Sequence, residues 1–181
     1  MKSKYFGLLE SMLGNKGTDD GKLYLYRKLK NGFQMESYLQ QIRQFKYRKA
    51  ISMFRLSAHR LEIETGRWVK GCDGKNIISR DERICTLCVE KDVKIPGDEE
   101  HAIMACPSFE SDRNNLIDYL CKKYPNFSTL SNFDKMFFML TCEGEAILKV
   151  SRFLLGIISS HRPSFEKTWM RINASLRLGL I

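Results

Sequence analysis

Apolar residues recur along this chain at helical intervals. Tyr47, Ile51, Phe54, Ala58 and Leu61 step by 4, 3, 4 and 3, which places them on one stripe of a helix. Ahead of it, Met35, Tyr38, Leu39, Ile42 and Phe45 share a face and predict a helix over 35–45. Residues 23–30 predict a shorter basic helix, closed by Asn31-Gly32. Three more stripes follow: Leu116, Ile117, Leu120, Cys121 and Tyr124; Phe133, Met136, Phe137 and Leu140; and Ile147, Val150, Leu154, Ile157 and Ile158, the last stopped by Pro163. These stripes read as core faces, and the fold class they predict is mainly α.

The periodicity fails between about 66 and 110. Gly66, Gly71 and Gly74 make an irregular start, and Ser79-x-x-Glu82 has the form of a capping box, predicting one helical turn before Cys85. Within this stretch lie Cys85, Cys88, His101 and Cys106. A C-x2-C turn lets two sulfurs converge on one metal, with backbone amides of the turn pointing at them. Asp98-Glu99-Glu100 puts negative charge where a helix N-terminus favours it, so a short helix through Ala102, Ile103 and Met104 carries His101 near its start. His101 and Cys106 are five apart and do not share a face of a regular helix. Pro107 pushes Cys106 out of the α region, to where its sulfur can turn back to the metal.

Three thiolates and one imidazole are the donor set of a closed, structural zinc site. Competing readings are buried core cysteines, a disulfide framework, which requires an oxidising compartment, and a redox C-x-x-C, which requires a βαβ setting. Zinc is the reading we favour, one ion per chain. Cys121 and Cys142 fall on apolar stripes and read as core, and Cys72 is a loop thiol without assigned purpose.

Charge divides the chain unevenly. Residues 1–60 are net +9, residues 61–120 net −5, and residues 121–181 net +5, giving +9 overall. Basic arms thus flank an acidic metal module, and a Cys3His zinc centre is itself net −1. From Arg43 to Arg60 the cations Arg43, Lys46, Arg48, Lys49, Arg55 and Arg60 meet no acid between Glu36 and Glu62. A solvated helix face is the ordinary reading of such a run. Its lack of acids tilts the balance towards phosphate contact. No signal peptide and no apolar run long enough for a membrane span is found, so the expected setting is intracellular, nuclear or cytoplasmic.

The string itself then becomes informative. Residues 54–67, Phe-Arg-Leu-Ser-Ala-His-Arg-Leu-Glu-Ile-Glu-Thr-Gly-Arg, lead to Glu82-Arg83-Ile84-Cys85-Thr86-Leu87-Cys88, then Asp98-Glu99-Glu100-His101 and Cys106-Pro107-Ser108-Phe109, with Arg113 beyond. This closely resembles the zinc-binding region that follows the polymerase domain in non-LTR retrotransposon reverse transcriptases. The resemblance covers roughly residues 21–162 and implies a helical bundle with an irregular CCHC zinc-binding insertion at about 66–110. Residues 1–20 stand as an N-terminal extension. Residues 163–181 stand as a C-terminal helix or tail, with Phe165, Trp169, Ile172 and Leu176 at helical spacing for docking on the bundle or for binding a partner protein.

The resemblance places Cys85, Cys88, His101 and Cys106 on zinc and implies contact with RNA or target DNA. No paired-aspartate polymerase motif is present, so polymerase and endonuclease activity are not expected. The function expected is a non-catalytic nucleic-acid-binding module. Arg43, Lys46, Arg48, Lys49, Arg55 and Arg60 would meet phosphates, while Arg67, Trp68 and Phe109 would stack on unpaired bases. The alternative is a zinc-stapled protein-interaction domain that binds no nucleic acid. Catalytic zinc ranks last, because four ligands close the coordination sphere and no general base stands beside it.

Overall fold

A computed structural model describes residues 23–30, 34–68, 78–89 and 94–161. These residues are mostly helical, with no strand among them. The helices are α1 (Tyr24–Leu29), α2 (Ser37–Gln41), α3 (Phe45–Arg55), α4 (Glu62–Thr65), α5 (Thr86–Val89), α6 (Glu110–Lys123), α7 (Asn132–Thr141) and α8 (Glu145–Ser160). Short 3-10 turns and one π-helical turn join them. The extensions 1–20 and 163–181, together with Cys72, lie outside the described residues.

The core lies between α3 and α8, which make the most extensive contact among the described elements, with α6 and α7 packed around α8. Ala50, Ile51 and Phe54 from α3 and Ala146, Ile147, Val150, Leu154 and Ile157 from α8 are all buried. Removing a Leu or Ile side chain from water contributes on the order of 1.5–3 kcal/mol. The stripes read in 116–124, 133–140 and 147–158 thus fall on the core faces of α6, α7 and α8. Met139, outside the expected stripe, is buried as well.

Two expected helices differ from those observed. The stripe from Tyr47 to Leu61 does not run through one helix, because α3 stops at Arg55. Ser57 takes a left-handed conformation (φ 47°), Ser57 N–H donates to the Phe54 carbonyl, and Ala58 N–H donates to the Met53 carbonyl. This is a Schellman ending with serine where glycine is usual. Ala58 is consequently exposed, and Leu61 reaches the core from extended backbone. The helix expected over 35–45 shrinks to Ser37–Gln41. Glu36 is extended and its carboxylate is taken by Lys30 and Arg55, while Ile42 turns extended to bury itself, leaving Met35 and Phe45 in solvent.

Candidate metal centre

Cys85, Cys88, His101 and Cys106 come together as predicted. Their donor atoms all lie within 4.8 Å of one another and all four residues are buried. The Cys88 sulfur is 3.3 Å from His101 Nε2 and 3.7 Å from the Cys106 sulfur. The group can hold a metal ion, with His101 presenting Nε2 to the sulfurs. The described cysteines form no disulfide with one another, and no strand among the described residues supplies a thioredoxin-like setting.

Local sequence builds each half of the site. The capping box at Ser79 and Glu82 closes the turn Arg80–Glu82, as predicted. An isolated antiparallel bridge pairs Ile84 with Pro96, so Cys85 N–H donates to the Ile95 carbonyl and Gly97 N–H to the Arg83 carbonyl. A side chain at Gly97 would collide with the Glu62 carboxylate and the backbone of Cys85, so glycine is what lets the two strands of the loop touch. Cys88 N–H then donates to the Cys85 carbonyl, which sets the C-x2-C turn.

The other half solves the five-residue spacing in two ways. Residues His101–Ala105 form a π-helical turn, and Cys106 N–H donates to the His101 carbonyl at 2.7 Å. A π turn takes more residues per revolution than an α turn, so positions five apart approach one face. Cys106 itself is extended (ψ 121°), as the following proline requires. The sequence reading found the second device and missed the first, because nothing in the residue types marks a π turn. Asp98 caps this segment, accepting from the His101 N–H at 2.8 Å.

A shell of polar side chains fixes the ligands. Arg113 is buried and donates to the Cys106 carbonyl at 2.8 Å. Glu99, two residues before His101, accepts from Ser57 Oγ and meets His59 Nε2, both at 2.9 Å. Its burial would raise the carboxyl, but those bonds and the His59 charge hold it below the ordinary range. Glu62 accepts from the Thr86 amide and hydroxyl. Its other oxygen faces His161 Nε2 at 3.8 Å, and neither atom has a hydrogen-bond partner. These two residues and Cys85 make a second group of donors within 4.8 Å, so α8 reaches the metal loop through His161. His161 Nδ1 lies 3.0 Å from the Ile157 carbonyl, which can only accept, so the ring carries its proton there.

Burial governs the protonation of the site. It pushes the Cys85 thiol far up, against the opposing Cys88 amide and with help from Glu62, Cys106 and Cys88. It pushes His101 down, towards the neutral imidazole that a metal accepts. A bound cation is what turns such thiols into thiolates. Cys142, expected in the core, is buried, and its thiol is pushed up to about 12 by the same cause.

The cations read as phosphate contacts divide. Arg43, Lys46, Lys49 and Arg60 are exposed and Arg48 is half-buried, none with an ion-pair partner among the described residues. Arg55 is a correction. Its side chain is buried, donating to Glu36 and to the Leu140 carbonyl, because the guanidinium of this last residue of α3 points into the bundle. The acid that neutralises it is Glu36, the residue bounding the acid-free run. His59 is likewise internal, with its side chain fully buried. Arg67 is held by both oxygens of Glu64, and Phe109 is buried, so of the three residues expected to stack only Trp68, 82% exposed, offers an open ring. The sequence reading missed Lys149 and Arg152 on α8, which stand beside Tyr119 and Tyr47.

No helix among the described residues is long and apolar enough to cross a membrane. No protein-family model matches this chain, and no curated protein or solved structure matches it.

Proposed function

We propose that this chain is a non-catalytic nucleic-acid-binding module whose loop 78–109 is closed by one structural zinc ion. It is similar to the zinc-binding region after the polymerase domain of non-LTR retrotransposon reverse transcriptases. Three sulfurs and one imidazole suit zinc over harder cations. A tetrahedron with zinc–sulfur bonds of about 2.3 Å has edges of about 3.8 Å. The Cys88–Cys106 sulfur separation of 3.7 Å fits that edge. When bound, zinc supplies only cross-linking here, since four protein donors leave no position for water or substrate.

The observation that carries the nucleic-acid reading is the outer face of α3. Arg43, Lys46 and Lys49 are exposed around Phe45, itself 70% exposed, with no acidic residue from 37 to 61. A cationic surface bearing an open aromatic ring is what an unpaired strand recognises. Acidity around the metal, from Glu62, Asp98, Glu99 and Glu100, favours the second reading, a protein-interaction domain, for the loop itself. A salt series with single-stranded RNA and DNA separates them. The first reading expects log affinity to fall with log salt by about 0.7 per phosphate contact, and the triple variant Arg43→Gln/Lys46→Gln/Lys49→Gln to flatten that slope by about 2. Weak binding without a slope would remove the nucleic-acid reading and leave a protein partner.

A further inference from the structure

Resting on that reading, we propose that the strand is seated in the groove between α6 and α8, and that this groove admits a single strand and excludes a duplex. The groove has a volume of about 350 Å³ and is lined by Asn115, Tyr119, Lys149, Arg152 and Gly156 over a floor of Leu116 and Phe153. Lys149 and Arg152, which line it, and Lys123 and Lys46 beside it are set on aromatic rings. Lys149 lies 4.6 Å and Lys123 5.8 Å from the centre of Tyr119. At the α3 end, Lys46 and Arg152, from two different helices, lie 4.9 and 5.7 Å from the centre of Tyr47. Rings of this kind hold cationic groups at set positions, so less freedom is lost when phosphates arrive.

Two acids share the neighbourhood. Asp112 lines the groove and Glu145 stands 3.5 Å from Lys149, while Lys123 and Lys46 beside the two lining cations, the exposed Arg43 just ahead of α3 and the exposed Lys49 of α3 extend the positive surface. Arg152 is exposed and has no ion-pair partner among the described residues.

Gly156 bears on the shape of the groove. It sits inside α8, where helices disfavour glycine, yet its φ is not positive. A Cβ built on it meets no atom within 4 Å, so no close approach of the described residues requires its smallness. What it does is keep the groove open beside Arg152. A base entering there is lined by Tyr119, Arg152 and the Asn115 amide, and Lys149 is the lining cation for a flanking phosphate. The chain's own residues 162–181 carry four cations and one acid, so charge complementarity favours a polyanion over that segment.

The test uses the zinc-loaded full chain with a labelled single strand of ~12 nucleotides, as RNA and as DNA, and a blunt duplex of the same sequence. Gly156→Trp, whose Cβ would meet no atom within 4 Å, should fill the groove and weaken single-strand binding about tenfold at unchanged melting temperature and zinc content. Arg152→Gln should reduce the salt slope by about 0.7. Wild-type binding of the single strand with both variants unaffected, or equal binding of the duplex, would overturn the groove while leaving the broader reading intact. A Gly156→Trp protein that melts earlier, with Arg152→Gln binding normally, would mean that the chain itself covers the groove and would overturn the proposal. Wild-type protein without salt-dependent binding would remove the broader reading and the groove together.

Discussion

Between α3 and α8 the contact is made of Ala, Ile, Val, Leu and Phe side chains, and the faces that meet are buried almost completely. Between residues 78 and 109 the large apolar side chains that are buried are Ile103, Met104 and Phe109, and the rest of the described loop is held by an isolated bridge, a capping box, carboxylates on backbone amides and four candidate metal donors. The bundle follows from area removed from water, a non-directional term that tolerates small errors in placement. The loop depends on directional bonds that must all be met at once, because each buried polar atom left unpaired is costly. The segment 57–67 lies between the two and serves the second. Ser57 and His59 hold Glu99, Glu62 holds Thr86, and the Ile63 carbonyl accepts from Arg83. Residues 57–67, part of the string on which the resemblance rested, are therefore largely a buttress for the metal loop.

That contrast can be broken experimentally. The largest effect should come from the metal. Cys88→Ala, or a strong chelator, should abolish metal retention and expose the amides of 78–109 to hydrogen exchange, a loss on the order of 10 kcal/mol for the loop. The amides of α3 and α8 should stay protected; their simultaneous collapse would mean that the two regions are one cooperative unit.

Next in size is the bundle itself. Leu154→Ala, at a fully buried site of α8, should lower stability to urea by about 2–5 kcal/mol while the folded fraction keeps its full metal content. Loss of metal in proportion to stability would show instead that the loop borrows its stability from α8.

Smaller again is the shell that joins them. Arg113→Met leaves the Cys106 carbonyl without its buried donor and should cost about 1–3 kcal/mol. Arg113→Met and His161→Ala, one on α6 and one at the end of α8, should each weaken metal binding about 10- to 100-fold in a competition titration. Unchanged affinity in both would detach the bundle from the site.

The smallest effect comes from a matched pair of caps. Ser131→Ala removes the bond to the Asp134 amide at the start of α7 and should cost the bundle ~1 kcal/mol. Ser79→Ala should cost a similar ~1 kcal/mol, read only as faster exchange within the loop.

What the chain alone discloses is whatever depends on residue type at short spacing. The core stripes of α6, α7 and α8, the capping box at Ser79, the extended Cys106 before Pro107 and the four metal donors were all legible, because a period of 3.6, a cap and a C-x2-C turn are local matters. The exact lengths of α2 and α3 were not legible. The Schellman turn at Ser57 depends on Glu99, more than 40 residues away, to hold its hydroxyl, and Ile42 leaves its helix to reach a core built largely by later residues. Arg55 looked like its neighbours Arg48 and Lys49 until the bundle closed over it and supplied Glu36 and the Leu140 carbonyl. Tertiary structure alone decides which of several like charges faces water, because that depends on what lies opposite each one. It decides the π turn at His101 for the same reason, since the widened helix is favoured by the ligands it brings together and by no preference of His, Ala, Ile or Met.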